Sequence, residues 1–126
     1  MRKKRTNPEY VLQCQVAQYL DLHPKHPLYS ADCGGMRTSI GTATKMKRMG
    51  HKKGIQDVFV FEPRNNCHGL AIEIKTKEGE PYPDTKRGVP SVEQYTWMKD
   101  LNERGYKAVI CYGFNECKKA IDEYLG

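Results

Sequence analysis

The chain predicts an α/β domain: a mixed sheet flanked by helices. Three observations carry this. Helical and strand-like periodicities alternate along the 126 residues in the order helix, strand, helix, strand, strand, helix, strand, helix. The two consecutive strands, 55-IQDVFVF-61 and 70-LAIEIKT-76, flank the turn-rich stretch 62-EPRNNCHG-69, which returns the chain as an antiparallel pair. The composition, 38% hydrophobic and 29% charged, is that of a polar globular chain long enough to own a core. No internal repeat or domain boundary is visible, so residues 1–126 read as one domain with a basic, flexible tail over 1–6.

Each element has its own signal. Asn7-Pro8 starts the first helix, an N-cap residue followed by proline in the first turn. Glu9, Gln13, Val16, Ala17 and Leu20 then share one stripe, which is apolar except where it begins. Pro24 and Pro27 end the helix, and the surrounding 23-HPKHP-27 places His23 and His26 in an exposed turn. A short strand, 28-LYSA-31, leads into the turn 32-DCGGMR-37. Residues 42–49 form a basic helix with Gly50 as its stop. After the strand pair comes a long loop, 77-KEGEPYPDTKRGVP-90. Ser91 with Gln94 makes a capping box, opening a helix through Val92, Trp97, Met98 and Leu101 that closes at Gly105. A strand over 107-KAVICY-112 follows. Asn115 is the expected cap of a last helix that buries Ala120, Ile121, Tyr124 and Leu125.

Charge points to the partner. The formal net charge is +6, and the cations gather in 2-RKKR-5 and 45-KMKRMGHKK-53. Two clusters on a basic chain favour a polyanion, nucleic acid first. The five cysteines are odd in number and lack a CxxC pair, and the histidines lack metal-ligand spacing. Free thiols are therefore expected rather than a disulfide framework or a structural zinc site. No apolar run is long enough for a membrane span, and the charged start has no apolar segment behind it. A cytoplasmic protein without membrane contact or small-molecule cofactor is expected.

The strand 70-LAIEIK-75 carries Leu70, Ile72 and Ile74 on one face and Ala71, Glu73 and Lys75 on the other. A solvated strand face accounts for an acid beside a base. A site does so too, and Asp57 favours the site. It begins the neighbouring strand, roughly 4.8 Å away, so Asp57 and Glu73 can share one cation. Two carboxylates that close repel unless something positive lies between them. A hard divalent cation, Mg²⁺ or Mn²⁺, takes such oxygen ligands and keeps open water positions. Lys75 lies two residues along the same face, suited to orient water or steady phosphate charge. Glu9 on its helical stripe can supply a third carboxylate, directly or through water. Gln94 can orient a ligand water, although the capping box alone also accounts for it.

The ordered set resembles the PD-(D/E)xK nuclease superfamily, and within it the VRR-NUC (virus-type replication-repair nuclease) family. The matching residues are Glu9 with Gln13, 34-GGMR-37, the basic helix ending at Gly50, 54-GIQDVFVF-61, 73-EIKTKEG-79 and 91-SVEQYTWMKDLNERG-105, then the closing strand and helix. The resemblance implies a restriction-endonuclease-like core with a central four-stranded sheet. It implies Asp57, Glu73, the backbone carbonyl of Ile74 and Glu9 as metal ligands. Lys75 would be the catalytic lysine, with Glu9 and Gln94 completing the catalytic set. Gln56 stands where the family commonly has proline, and the loop after Gly79 is longer than the usual turn. That loop either adds DNA contacts through Lys86 and Arg87 or forms a mobile lid. Other expected DNA contacts are Arg37, Lys45, Lys47, Arg48, Lys52 and Lys53.

The implied activity is Mg²⁺- or Mn²⁺-dependent endonucleolytic hydrolysis of DNA. Branched DNA such as a Holliday junction is the expected substrate, in recombination or repair. Small stand-alone members of this type are expected to be homodimers, whose two sites suit opposed strands, and a phage or prophage origin fits. The alternatives are a flap or nicking nuclease without junction preference, a catalytically silent DNA-binding module, and an RNA-binding protein that keeps only the basic surface.

Overall fold

A computed structural model describes residues 6–32 and 39–126. The basic tail 2-RKKR-5 and the turn carrying 34-GGMR-37, including Arg37, lie outside the described residues. The elements follow the expected order: α1 (Pro8–Leu22), β1 (Tyr29–Ala31), α2 (Ile40–Arg48), β2 (Val58–Val60), β3 (Leu70–Lys75), α3 (Val92–Glu103), β4 (Lys107–Tyr112) and α4 (Gly113–Leu125).

The four strands form one sheet in the order β1-β2-β3-β4. β1 and β3 each pair antiparallel with β2, while β4 runs parallel to β3. The sheet is therefore mixed, and β3 is an inner strand with helices over both faces. Leu70, Ile72 and Ile74 join Val58 and Val60 under α1 and α4, packed against Leu12, Val16, Leu20, Ile121 and Tyr124. On the other face Ala71 and Ala108 meet Leu101, with Trp97, Met98 and Phe59 around them. All six residues of β3 are buried. That excludes a solvated strand face for Glu73 and Lys75, because burying ions on a covered face is costly unless they are paired.

Capping chemistry sets the helix starts. The Asn7 side chain accepts from the backbone N–H groups of Glu9 and Tyr10, and Ser39 accepts from Thr42. At α4 the expectation fails. Asn115 lies inside the helix, which starts at Gly113, with Tyr112 at the N-cap position and no side-chain cap bond. Glu116 instead reaches back to accept from the Tyr112 N–H at 3.0 Å. β4 runs directly into α4 through a left-handed Gly113 (φ 81°), so no loop residue is left to act as a cap.

Two other expectations change. His23 is buried, not exposed: it caps the C-terminal end of α1 and its Nε2 lies 3.2 Å from Asp122 on α4. Its Nδ1 accepts from the Lys25 N–H, so Nε2 carries the proton toward Asp122. The strand expected over 55–61 shortens to Val58–Val60, because residues 52–55 close a turn in which the Ile55 N–H bonds the Lys52 carbonyl. Asp57 still continues the ladder, its N–H donating to the Ile72 carbonyl at 3.0 Å.

Candidate active site

The register brings the acids together. Val58 pairs with Ile72, so one step further Asp57 faces Glu73 across the strands and shares its side of the sheet. The Ile74 N–H donates to Asp57 Oδ2 at 2.7 Å, which fixes that carboxylate at the end of the sheet. Glu73 is almost wholly buried. Its Oε2 accepts from Gln94 Nε2 at 3.0 Å and lies 3.8 Å from Lys75 Nζ. Lys75 is itself buried.

Gln94 serves two structures at once. Its Oε1 accepts from the Ser91 N–H at 2.8 Å while its own N–H bonds Ser91 Oγ, which completes the capping box. Its remaining amide group holds Glu73. The cap and the site are thus not competing explanations, because one amide supplies the acceptor for the first and the donor for the second.

Glu73 is the electrostatic focus. Burial, with a further push from the adjacent Asp57, raises its carboxyl from 4.5 to about 9; the attraction of Lys75 only partly opposes this. Asp57 stands within hydrogen-bonding reach, yet two ionised carboxylates have no proton to share. Among the described residues Glu73 Oε1 has no hydrogen-bond partner despite its burial. Such a pair is satisfied by a proton or by a cation. Oxygen donors alone, two of them carboxylates, fit a hard divalent ion. Among the described residues no group of three or more His, Cys, Asp or Glu is placed to hold a metal. The available set is Asp57, Glu73 and backbone oxygen, which suits an ion that keeps several waters.

Glu9 does not join them as an inward-pointing acid. It is exposed in the first turn of α1 and reaches Glu73 only as a minor repulsion. The buried stripe of α1 runs through Leu12, Val16 and Leu20; Glu9 precedes it by one turn, at the exposed start of the helix. Gln13 donates to the Asp32 carbonyl at 3.4 Å, a link between α1 and the strand end beside Asp57.

A cleft of about 710 Å³ opens over this cluster, with Asp57, Lys75 and Gln94 among its lining residues. One wall is basic, formed by Lys47, Lys52 and Lys53. That wall is fixed on α3. The Trp97 indole donates to the Lys53 carbonyl at 3.1 Å, and a Cβ on Gly54 would sit 2.6 Å from Glu93 Cβ. Gly54 also has φ of 90°, so close approach and left-handed backbone both require glycine there. Lys45 and Arg48 are exposed on α2 outside the cleft lining.

The loop expected either to contact DNA or to act as a lid is tied to the end of β3. Thr76 Oγ1 donates to the Lys86 carbonyl at 2.7 Å and the Gly88 N–H donates to the Thr76 carbonyl at 3.0 Å. Lys86 is exposed, whereas the Arg87 guanidinium stacks 4.0 Å from the centre of the Tyr112 ring. A second cavity of about 670 Å³, between α1 and the start of α4, has none of Asp57, Glu73 and Lys75 in its lining. His51 and Val89, to which the sequence assigns no role, also line the cleft over Asp57. In the sequence His51 stands in a run whose only signal is its charge, and Val89 in a loop whose path no local pattern marks.

No family model and no curated protein matches the sequence. A solved structure described as a "VRR_NUC domain protein" is similar over 97% of this chain and 91% of its own, with 26% identity and a TM-score of 0.74. Asp57 and the Glu73–Lys75 pair at one sheet end, with the Ser91–Gln94 helix beside them, are the residues that carry the resemblance to the VRR-NUC family, and the structural match supports that resemblance over nearly the whole chain.

Proposed function

We propose that this chain is a divalent-metal-dependent endonuclease that hydrolyses phosphodiester bonds in DNA, acting on branched DNA such as four-way junctions as a homodimer. One observation carries the chemistry. Glu73 is buried against Asp57 with an oxygen that has no hydrogen-bond partner among the described residues, and Lys75 lies beside it. That arrangement is costly for a structural ion cluster and useful for a site that takes up positive charge.

Asp57, Glu73 and the backbone carbonyl of Ile74 would hold Mg²⁺ or Mn²⁺, with Glu9 acting through water from its exposed position. Such an ion supplies Lewis acidity when bound: a more acidic attacking water and positive charge against the phosphoryl oxygens. The protein groups do the rest. The Ile74 N–H fixes the Asp57 carboxylate, and Gln94 fixes Glu73. Lys75, held in a buried position, orients the attacking water and counters charge on the phosphoryl group. Lys47, Lys52 and Lys53 along the cleft, and Lys45, Arg48 and Lys86 outside its lining, bind phosphates of the flanking strand, and Arg37, which is outside the described residues, is expected to join them.

The test is a cleavage time course on labelled four-way junction, flap and linear duplex in Mg²⁺, Mn²⁺ or EDTA, beside Lys75→Ala. Paired symmetric nicks on the junction, absent in EDTA and in the variant, support a junction-cutting dimer. Cutting confined to the flap or linear DNA keeps the site and removes the junction role. Binding without cutting, under all conditions, leaves a DNA-binding module whose acids do no chemistry.

A further inference from the structure

We propose that residues 86–88 form a strap that positions Lys75, with Gly88 and Thr76 as the positioning residues for its ammonium. This rests on the nuclease reading above and gives the long loop a task beyond DNA contact. Lys75 needs such a device. Its Nζ lies 3.8 Å from Glu73 Oε2, an ion pair longer than a hydrogen bond. A lysine stem is flexible, and its ammonium is a point charge without the fixed fork of a guanidinium. Attraction to Glu73 alone therefore leaves the ammonium loosely placed, and the stem has to be held.

Gly88 rests on that stem. A Cβ there would meet Lys75 Cδ at 3.1 Å, Lys75 Cβ at 3.3 Å and the Thr76 nitrogen at 3.3 Å. Gly88 does not have the left-handed φ of Gly54 or Gly113, so its backbone does not call for glycine. The space over the lysine does. The strap is tied down on both sides of this contact. Thr76, the residue after Lys75, is buried. Its Oγ1 donates to the Lys86 carbonyl at 2.7 Å, and its carbonyl accepts from the Gly88 N–H at 3.0 Å. Upstream, the Gly79 N–H donates to the carbonyl of the buried Thr85 at 2.8 Å. Downstream, Pro90 is buried and Ser91 opens the helix whose Gln94 holds Glu73. Residues 86–94 thus hold the lysine at one end and the acid at the other.

The experiment reads Lys75 itself, by NMR of protein carrying isotopically labelled lysine, in EDTA and at one pH. The pair of protons on Cε gives separate signals when a lysine is ordered and coincident ones when it rotates freely. The Lys75 signals are those lost in Lys75→Arg. Wild type should show them separate. Gly88→Ala, which crowds the stem, should displace or merge them, and Thr76→Val, which removes the hydroxyl bond to the strap, should merge them. Thr76→Ser keeps the hydroxyl and should restore the separation. In Mg²⁺, kcat of Gly88→Ala and Thr76→Val should fall roughly tenfold or more with KM little changed, and Thr76→Ser should recover it. Thermal melts check folding, and the two Thr76 variants decide alone should Gly88→Ala not fold. Coincident Lys75 signals in the wild type overturn the proposal, as do signals unchanged in both disruptive variants. Equal effects of Thr76→Ser and Thr76→Val overturn it as well, because the bond to the strap would then not matter. So does an unchanged kcat in variants whose Lys75 signals have merged. Altered Lys75 signals in a protein that cuts no DNA as wild type would instead overturn the nuclease reading and leave the strap in place.

Discussion

Glu73 is where opposing demands meet. The sheet interior favours it neutral, because burial and Asp57 together hold its carboxyl at about 9 rather than 4.5. The proposed chemistry needs it ionised. The consequence is a pH dependence of opposite sign to that of an ordinary paired acid. The metal-free folded chain binds the Glu73 proton more tightly than the unfolded chain does. Stability from this group is fully present below about pH 4.5 and is lost as pH rises through about 9. The slope within that window is at most about 1.4 kcal/mol per pH unit. In EDTA, the melting temperature of the wild type should therefore fall between pH 5 and pH 9 relative to that of Glu73→Gln, whose isosteric amide has no proton to lose. Millimolar Mg²⁺ should flatten the wild-type curve and leave the variant's unchanged. Parallel curves for the two proteins in EDTA would mean that Glu73 is already ionised in the folded chain, without a cation.

At the level of elements, α3 shows how a local rule and a site can share one residue. Ser91 and Gln94 are readable as a helix start from their spacing alone. The second bond of the amide, to Glu73, depends on β3 lying beside the first turn, which no local pattern contains. The two roles separate by substitution. Ser91→Ala removes one capping bond and should cost about 1 kcal/mol of stability with kcat/KM little changed. Gln94→Ala removes the other capping bond and frees Glu73, so it should cost a similar stability and lower kcat/KM by about tenfold or more. Melting curves and initial rates on one cleavable substrate check this, and equal kinetic losses in the two variants would reduce Gln94 to a cap. The same distinction explains what else the sequence could yield. The apolar alternation of Leu70, Ile72 and Ile74, the cap at Asn7 and the stop at Gly50 are local signals, and each appears where expected. His23 departs from its expected exposure because proline-flanked histidines look like surface turn residues, whereas its partner in the fold, Asp122, is 99 residues away. Asn115 failed as a cap because β4 enters α4 without a connecting loop.

Across the whole molecule, the distribution of charge matters more than its sum. The core holds the sheet, α1, α3 and α4 together, while α2 contributes no buried residue. Its cations Lys45, Lys47 and Arg48 sit in its last turn, where they oppose the helix's negative end and remain free to meet phosphate. An element that adds almost nothing to the core can change its charge without unfolding the protein, and surface substitutions of this kind typically stay within about 0.5 kcal/mol. Replacing all three with glutamine should therefore leave the melting temperature nearly unchanged while altering DNA binding. The change has a defined form. Each phosphate neutralised on duplex DNA contributes about −0.9 to the slope of log K against log salt. If all three cations engage phosphates, the triple variant's slope should be shallower by about 2.7, with the loss of affinity greatest at low salt and shared by specific and unspecific DNA alike. Fluorescence anisotropy titrations at several salt concentrations, in EDTA to prevent cutting, measure this directly. An unchanged slope would place α2 away from the DNA and leave Lys52 and Lys53, next to Gly54 on the cleft wall, as the principal phosphate contacts.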